Sequence, residues 1–146
     1  MKERALILLM LVSVGIPCWA QNRTALYEPK GPERKAILDA LRALVEKELM
    51  KNVVFRVGYL QVKDGWAFLA GKPQQPNGKP MDYRDTPHQK DIEAGVFDDG
   101  IHALMRLEDG RWRVVKYEIG ATDAVFEGWD RLYHAPKEIF WPAGSR

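Results

Sequence analysis

An apolar stripe at helical spacing is the first strong pattern along the chain. It consists of Ile37, Leu38, Leu41, Leu44, Val45 and Leu49. Charged residues fill the positions between them, as in a helix that covers a core with one face. Gly31 can cap this helix, and Pro32 suits its first position, where the missing N–H has no partner in any case. The pattern predicts a helix from about Pro32 to Lys51.

Two Asp-Gly pairs predict two β-hairpins. Asp64-Gly65 and Asp109-Gly110 each separate two runs that are rich in apolar and β-branched residues. An Asp-Gly pair in this setting is typical of a two-residue turn, because the turn requires positive φ angles that these residues tolerate. The predicted strands are Val53–Lys63 with Trp66–Ala70, and Ile101–Glu108 with Arg111–Ile119.

Two-residue turns also determine the register of each hairpin. On one face we expect the pairs Leu60–Leu69, Val62–Ala67, Met105–Val114 and Leu107–Trp112. On the other face we expect Tyr59–Ala70, Gln61–Phe68, Lys63–Trp66, His102–Tyr117, Leu104–Val115, Arg106–Arg113 and Glu108–Arg111. The first face is aliphatic, so we expect the helix to cover Leu60, Val62, Leu69, Met105 and Val114.

The second face combines aromatic and cationic side chains and is the predicted ligand-binding site. Its candidate residues are Tyr59, Trp66, Phe68, His102, Arg106, Arg113 and Tyr117. Arg106 directly opposite Arg113 is unfavourable unless something negative lies between the two side chains. Either a carboxylate of the protein or a bulge that shifts the register accounts for this, or the arginines hold an anionic or polar ligand.

A long segment from Gly71 to Gly100 connects the hairpins and is rich in proline, glycine and charge. Segments of this length in a small domain are usually functional or partly structured. Thr86-Pro87-His88-Gln89 resembles a capping box, and Gly95 can end the short helix that it predicts. Asp85 and Asp91 flank His88, but no spacing typical of a metal site accompanies it, so we expect His88 to be solvated.

Aromatic residues recur at helical spacing near the end of the chain. They predict a second helix from Thr122-Asp123 to about His134, which Ala135-Pro136 ends. An aromatic stripe of this kind is more typical of a core than of a cofactor site. The fold class expected is α+β, with an N-terminal helix packed on a four-stranded antiparallel sheet made of two hairpins, and a C-terminal helix.

The first residues have the layout of a secretory signal peptide. Lys2 and Arg4 precede an apolar run, and Ala20 is a small residue at the expected cleavage point. The run is shorter than the roughly 20 apolar residues that span a membrane. We therefore expect a signal peptide over residues 1–20 and a periplasmic or secreted protein, with a lipid anchor on Cys18 as the less favoured alternative.

Cleavage changes the composition in two ways. It removes Cys18, the one cysteine, so the mature chain can form no internal disulfide. It also removes a net charge of +1, which reduces the formal net charge of +2 to +1. No basic surface large enough to predict nucleic-acid or anionic-membrane binding is left. The expected organisation is a flexible segment over 21–31, one α+β domain over 32–141 and a tail over 142–146.

No catalytic motif, metal site or cofactor site is predicted. The mature chain has no cysteine, and Ser145 is its one serine, which argues against serine or cysteine hydrolase chemistry. A catalytic alternative is a hydrolase or isomerase that uses His102 with Asp85, Asp91 or Asp98 from the long segment.

Parts of the chain resemble a group of small exported bacterial proteins without an assigned activity. The similarity covers about Arg34 to Phe140, and its motifs are Arg34–Arg42, Gly65–Phe68, Gly110–Trp112, and Thr122-Asp123 with Trp129. The order of elements is also similar to a cystatin-like or NTF2-like roll. These motifs are core and turn residues, so the resemblance implies a fold and an exported location and transfers no site.

Three function classes follow. The favoured class is a non-catalytic binding module that holds a small polar or anionic ligand, or an envelope protein, on the open sheet face. The second is the His102 enzyme. The third is an inhibitor or cell-envelope interaction protein, including a homodimer, whose distinguishing mark is a large exposed aromatic patch.

Overall fold

The computed structural model describes residues 24–140. The predicted signal peptide and C-terminal tail lie outside these residues. The elements are α1 (Gly31–Leu49), β1 (Val54–Lys63), β2 (Trp66–Gln74), α2 (Gln89–Glu93), β3 (Ile101–Glu108), β4 (Arg111–Ile119), α3 (Trp129–Tyr133) and a 3₁₀-helix (Lys137–Phe140). The strands form one antiparallel sheet in the order β1-β2-β3-β4, with α1 packed on it. The predicted α+β class is confirmed.

Helix α1 forms where the apolar stripe predicted it and buries a narrower stripe than expected. Ile37, Leu41, Val45 and Leu49 are buried, whereas Leu44 is 40% exposed. Four buried positions at intervals of four residues are the face that an α-helix turns toward a sheet. Leu44 therefore lies at the border of the stripe and outside the core.

The first core lies between α1 and the sheet. The α1 stripe packs there against Leu60, Val62, Ala67, Leu69, Ala103 and Met105, with Val114 partly buried beside them. These include all the strand residues that we expected the helix to cover. Met81 and Tyr83, from the segment between the hairpins, complete this core.

Both Asp-Gly turns form as predicted, with positive φ at each of the four turn residues. The register of the first hairpin is confirmed from Tyr59–Ala70 to Lys63–Trp66. In the second hairpin the four pairs from Met105–Val114 to Glu108–Arg111 are confirmed.

A β-bulge makes two predicted pairs of the second hairpin wrong. The register shifts between Leu104 and Met105, so Leu104 pairs with Lys116 rather than Val115. His102 pairs with Glu118, and Tyr117 pairs with Ala103. The extra residue in β4 moves Tyr117 to the α1 side of the sheet, because a one-residue shift reverses the face that a side chain occupies.

We predicted that the sheet face opposite α1 is open. The C-terminal segment instead covers most of this face. Phe68 and Leu104 are fully buried there beneath a second core. The covering residues are Trp129, Ala135, Ile139 and Phe140, with Val125, Phe126 and Tyr133 partly buried. The sheet is therefore the middle layer between two apolar cores.

The C-terminal helix is shorter than predicted. Helix α3 begins at Trp129, and the residues after Thr122 form turns. Gly128 has a φ of 84°, a left-handed conformation that cannot continue a right-handed helix. This break lets Phe126 reach the sheet from a separate turn.

The segment between the hairpins is structured over much of its length. It contains the predicted short helix, α2, which Gly95 follows with a φ of 70°. Lys51 Nζ donates hydrogen bonds to the carbonyl oxygens of Asp82 and Arg84, at 2.6 and 2.8 Å. These bonds and the buried Tyr83 side chain hold the segment against the end of α1.

Within residues 24–140, no helix has the length and apolar character needed to cross a membrane.

We predict that Leu41→Ala lowers the free energy of unfolding by about 2–5 kcal/mol, since it truncates a fully buried side chain at the centre of the α1 stripe. Urea denaturation measures the change. The matched control is Leu44→Ala on the same helix, which we expect to change stability by less than about 0.5 kcal/mol. Equal losses in the two variants would contradict the assignment of the buried face.

Candidate functional site

The predicted site residues do not form one site. Six of them share the sheet face opposite α1, and the bulge places Tyr117 on the other face. The six are spread along the length of that face. His102 lies near one end, and Trp66, Arg106 and Arg113 lie in one cross-strand row at the hairpin end. Arg106 follows His102 by four positions along β3, which corresponds to about 13 Å in a strand.

Tyr59 and Phe68 belong to the second core. The Phe68 ring lies 4.7 Å from the Phe140 ring and 5.1 Å from the Phe126 ring. Phe68 is 1% exposed, so it supports the fold and presents no surface to a ligand. Burial raises the pKa of Tyr59, which packs at the edge of the same cluster.

Side chains of the protein itself lie beside Arg106 and Arg113, which are cross-strand neighbours. The Arg106 guanidinium lies 5.1 Å from the centre of the Trp66 ring, a cation–π distance. Arg113 Nε lies 3.5 Å from Glu108 Oε2. Glu108 is therefore a carboxylate of the protein that lies beside Arg113, which is one of the explanations expected from the sequence. Both arginines are exposed, and neither lines the cleft described below.

Tyr117 belongs instead to a partly buried polar cluster that the sequence analysis missed. Its hydroxyl donates a hydrogen bond to Glu48 Oε2, and Glu48 Oε1 lies 2.7 Å from His88 Nε2. The cluster joins α1, β4 and the turn before α2. Burial, and secondarily Glu48, raises the pKa of Tyr117 well above its usual range.

The prediction that His88 is solvated is wrong. Its side chain is 13% exposed, and the ring packs 5.4 Å from Phe97 and 6.0 Å from Tyr83. The position of Glu48 is the one sign of this cluster in the sequence, because Glu48 borders the buried stripe one residue before Leu49. A carboxylate at such a border requires a polar partner, but helical spacing does not say which residue supplies it.

A cleft of about 460 Å³ lies where the C-terminal cover ends. It is lined by Arg56, Gly58, Ala70, Gly71, Lys72, Asp98, Gly100 and His102. The three glycines and Ala70 have no side chain or a small one, so main-chain atoms form the floor of the cleft. The charged side chains form the rest of its lining. Of the residues predicted as a binding site, His102 is the one that lines this cleft.

Local backbone features create the cleft. The register of β1 with β2 shifts between Val57 and Tyr59, so Gly58 is the extra residue of a bulge. A Cβ atom on Gly71 would lie 2.5 Å from the carbonyl oxygen of Arg56, so no side chain fits between these strands. The long segment then brings Asp98 beside the start of β3, where Asp98 N–H donates to the carbonyl of Gly120 at 2.9 Å.

The charges around the cleft are unevenly paired. Lys72 Nζ forms a 2.6 Å ion pair with Asp99. Asp98 Oδ1 accepts a hydrogen bond of 3.0 Å from the backbone N–H of Gly100. Arg56 is exposed, and no carboxylate within residues 24–140 forms an ion pair with it. Arg56 is therefore the cation that is available to a ligand.

The His102 ring lines the cleft and packs against the second core. It stacks on Phe68 at 6.2 Å with 15° between the ring planes, and lies 5.0 Å from Phe126. Nδ1 is buried without a hydrogen-bond partner, so Nε2 is the nitrogen that solvent or a ligand can reach. Burial lowers the pKa of His102, and the negative charge of Asp98 opposes this shift. A neutral imidazole at neutral pH can both donate and accept a hydrogen bond.

The described residues contain no group of three or more His, Cys, Asp or Glu side chains that could hold a metal ion.

Comparison with known proteins returned no match to a family model, to a curated protein or to a solved structure. The resemblance to exported bacterial proteins and to a cystatin-like or NTF2-like roll therefore stays a prediction. The candidate site rests on the geometry of this chain alone.

We predict that Glu48→Ala lowers the free energy of unfolding by about 1–3 kcal/mol, because the Tyr117 hydroxyl and the His88 ring each lose their hydrogen-bond partner. Thermal or urea denaturation measures the loss. Lys47→Ala, at the exposed neighbouring position of the helix, is the control and should have little effect. If both variants unfold like the parent protein, the cluster does not stabilise the fold.

The pH dependence of His102 provides a test of its environment. Because its pKa is lower in the folded than in the unfolded chain, its contribution to stability is present above about pH 6.5 and decreases as the pH falls. Asp98→Asn removes the charge that opposes this shift, so the His102 titration should move to still lower pH.

NMR titration of the imidazole signals measures this shift, and His102→Phe identifies the His102 signal. Asp123→Asn is the control, since Asp123 is exposed and does not line the cleft. An unchanged His102 titration in Asp98→Asn would show that the carboxylate does not act on the ring.

Proposed function

We propose that this chain is a non-catalytic binding module that holds a small polar ligand in the His102 cleft. The observation that carries the proposal is the convergence of three features in this one cleft: the Arg56 guanidinium, which pairs with no carboxylate of residues 24–140, the reachable His102 nitrogen and a floor of glycine backbone. Small-molecule sites typically combine such a concavity with a few fixed polar groups. The volume of about 460 Å³ falls within their usual range.

The binding surface in this proposal is the cleft and not the whole sheet face. The second core covers the middle of that face, including Phe68, and the arginines at the hairpin end lie beside Trp66 and Glu108. Ring contacts with Phe68 and Phe126 hold the His102 side chain in place, so this group loses little freedom when a ligand binds.

Export is part of the proposal and depends on the leader pattern of residues 1–20. A periplasmic or secreted location suits a small binding module that meets ligands outside the cytoplasm. The alternative of a lipid anchor on Cys18 would place the same module at a membrane surface.

A cleft enzyme is the second candidate, favoured by the position of Asp98. Of the carboxylates considered with His102, it is the one that lines the same cleft, whereas Asp85 and Asp91 lie elsewhere on the segment. No hydrogen bond joins Asp98 to His102, and the Asp98 carboxylate accepts from Gly100 instead. A base oriented by a carboxylate requires that contact, so binding is the better supported function.

The interaction class has less support. No aromatic residue among 24–140 is exposed, so the large aromatic patch expected of that class is not formed by these residues. The exposed large apolar side chains there are Leu44, Met50, Ile92, Val96 and Leu132.

We predict that small polar compounds, screened as mixtures by two-dimensional NMR, shift the backbone amide signals of Gly58, Gly71 and Gly100. The signals of Trp66 and Arg106, at the hairpin end of the same face, should not move. Ala70→Leu fills the cleft floor with a larger side chain and should weaken binding by about tenfold or more, which is about 1.4 kcal/mol.

Ala43→Leu is the matched control because Ala43 is exposed on α1, away from the cleft. It should leave binding unchanged. The unfolding midpoint of Ala70→Leu shows whether the fold is retained. Shifts centred outside the cleft, or no shift with any compound, would refute the binding function.

A further inference from the structure

Side chains of both charges line the cleft. Arg56 lies on β1, and Asp98 lies near the end of the long segment before β3. Lys72 is the cross-strand partner of Arg56 in the β1–β2 register, and its ammonium group forms an ion pair with Asp99. The Lys72–Asp99 pair is electrically neutral, so Arg56 and Asp98 are the two charges without a side-chain ion pair among the cleft residues.

All four charges act within one small region. The pKa of Lys72 is raised by its hydrogen bond to Asp99 and by the charge of Asp98, whereas Arg56 acts in the opposite direction. A ligand in the cleft therefore experiences Arg56 and Asp98 together. A simple anion attracted by Arg56 meets the repulsion of Asp98, and a simple cation meets the reverse.

Resting on the proposed binding function, we infer that the ligand is a zwitterion with a carboxylate and an ammonium group close together, as in a free α-amino acid. The guanidinium of Arg56 can bind the carboxylate through two parallel hydrogen bonds. The carboxylate of Asp98 accepts from the ammonium group through the lone pairs that Gly100 leaves free.

The rest of the cleft suits a molecule of this size. Gly58, Gly71 and Gly100 present backbone rather than side chains, so the charged end of a small ligand can approach the floor closely. His102 also lines the cleft, and its reachable nitrogen can hydrogen-bond to the remainder of the ligand. A neutral ring adds no third charge to the pair.

Calorimetric titration of the mature protein tests the inference with three matched kinds of probe. These are the common protein amino acids, their N-acetyl derivatives, which lack the ammonium charge, and their amides, which lack the carboxylate. A zwitterion-specific cleft binds at least one free amino acid about fivefold or more tighter than either derivative. A dipeptide such as Ala-Ala shows whether more widely separated charges are accepted.

Two charge-removing variants provide a crossed test. Arg56→Gln should weaken binding of the free amino acid and of the N-acetyl derivative, and should leave binding of the amide unchanged. Asp98→Asn should weaken binding of the free amino acid and of the amide, and should strengthen binding of the N-acetyl derivative. The controls Arg106→Gln and Asp123→Asn remove the same charges outside the cleft and should change nothing.

The outcomes separate this inference from the proposed function. If the N-acetyl derivative binds as tightly as the free amino acid, the site takes plain anions and the zwitterion inference is wrong, while the binding function stands. The same holds if other compounds shift the cleft amides by NMR and no amino acid binds. If nothing at all occupies the cleft, both are wrong.

Discussion

Burial of the central strands on both faces is the constraint on which the rest of the structure depends. Leu69, Ala103 and Met105 are covered by α1, and Phe68 and Leu104 are covered by the C-terminal segment. Among the described residues, the second layer does not extend over the whole sheet, and it reaches His102 through the Phe126 ring. The cleft exists because the sheet extends past this cover, through Ala70 and Gly71 to Lys72.

The long segment between the hairpins links the two sides of the molecule. It contributes Tyr83 to the first core and His88 to the Glu48 cluster, and it ends with Asp98 at the cleft. A segment with fewer anchors would hold Asp98 less precisely, because loop entropy opposes a fixed position. The hydrogen bonds from Lys51 and the contact between Glu48 and His88 therefore contribute to the geometry of the cleft as well as to stability.

Polar groups at the sheet surface are balanced locally. Arg106 stacks on Trp66, Arg113 lies near Glu108, and Lys72 pairs with Asp99. Arg56 has no ion-pair partner among residues 24–140, and it lines the cleft together with the glycine backbone. An unpaired cation beside an open cleft is a stronger functional indication than a larger number of paired surface charges, since exposed ion pairs contribute little individually.

The amino-acid pattern alone predicts the local features: the α1 stripe, both Asp-Gly turns, the register next to each turn, and the assignment of Leu60, Val62 and Leu69 to the helix side. These follow from spacing and from backbone preferences that act over a few residues. Other features depend on the packing of distant segments: the bulge of β4 before Tyr117, the cover of the second face by a segment broken at Gly128, and the contact of Glu48 with His88. The fold also brings Arg56 and Asp98 into one cleft with His102, although they are 42 positions apart in the sequence. Such contacts depend on how distant segments share space, and neither periodicity nor turn chemistry contains that information.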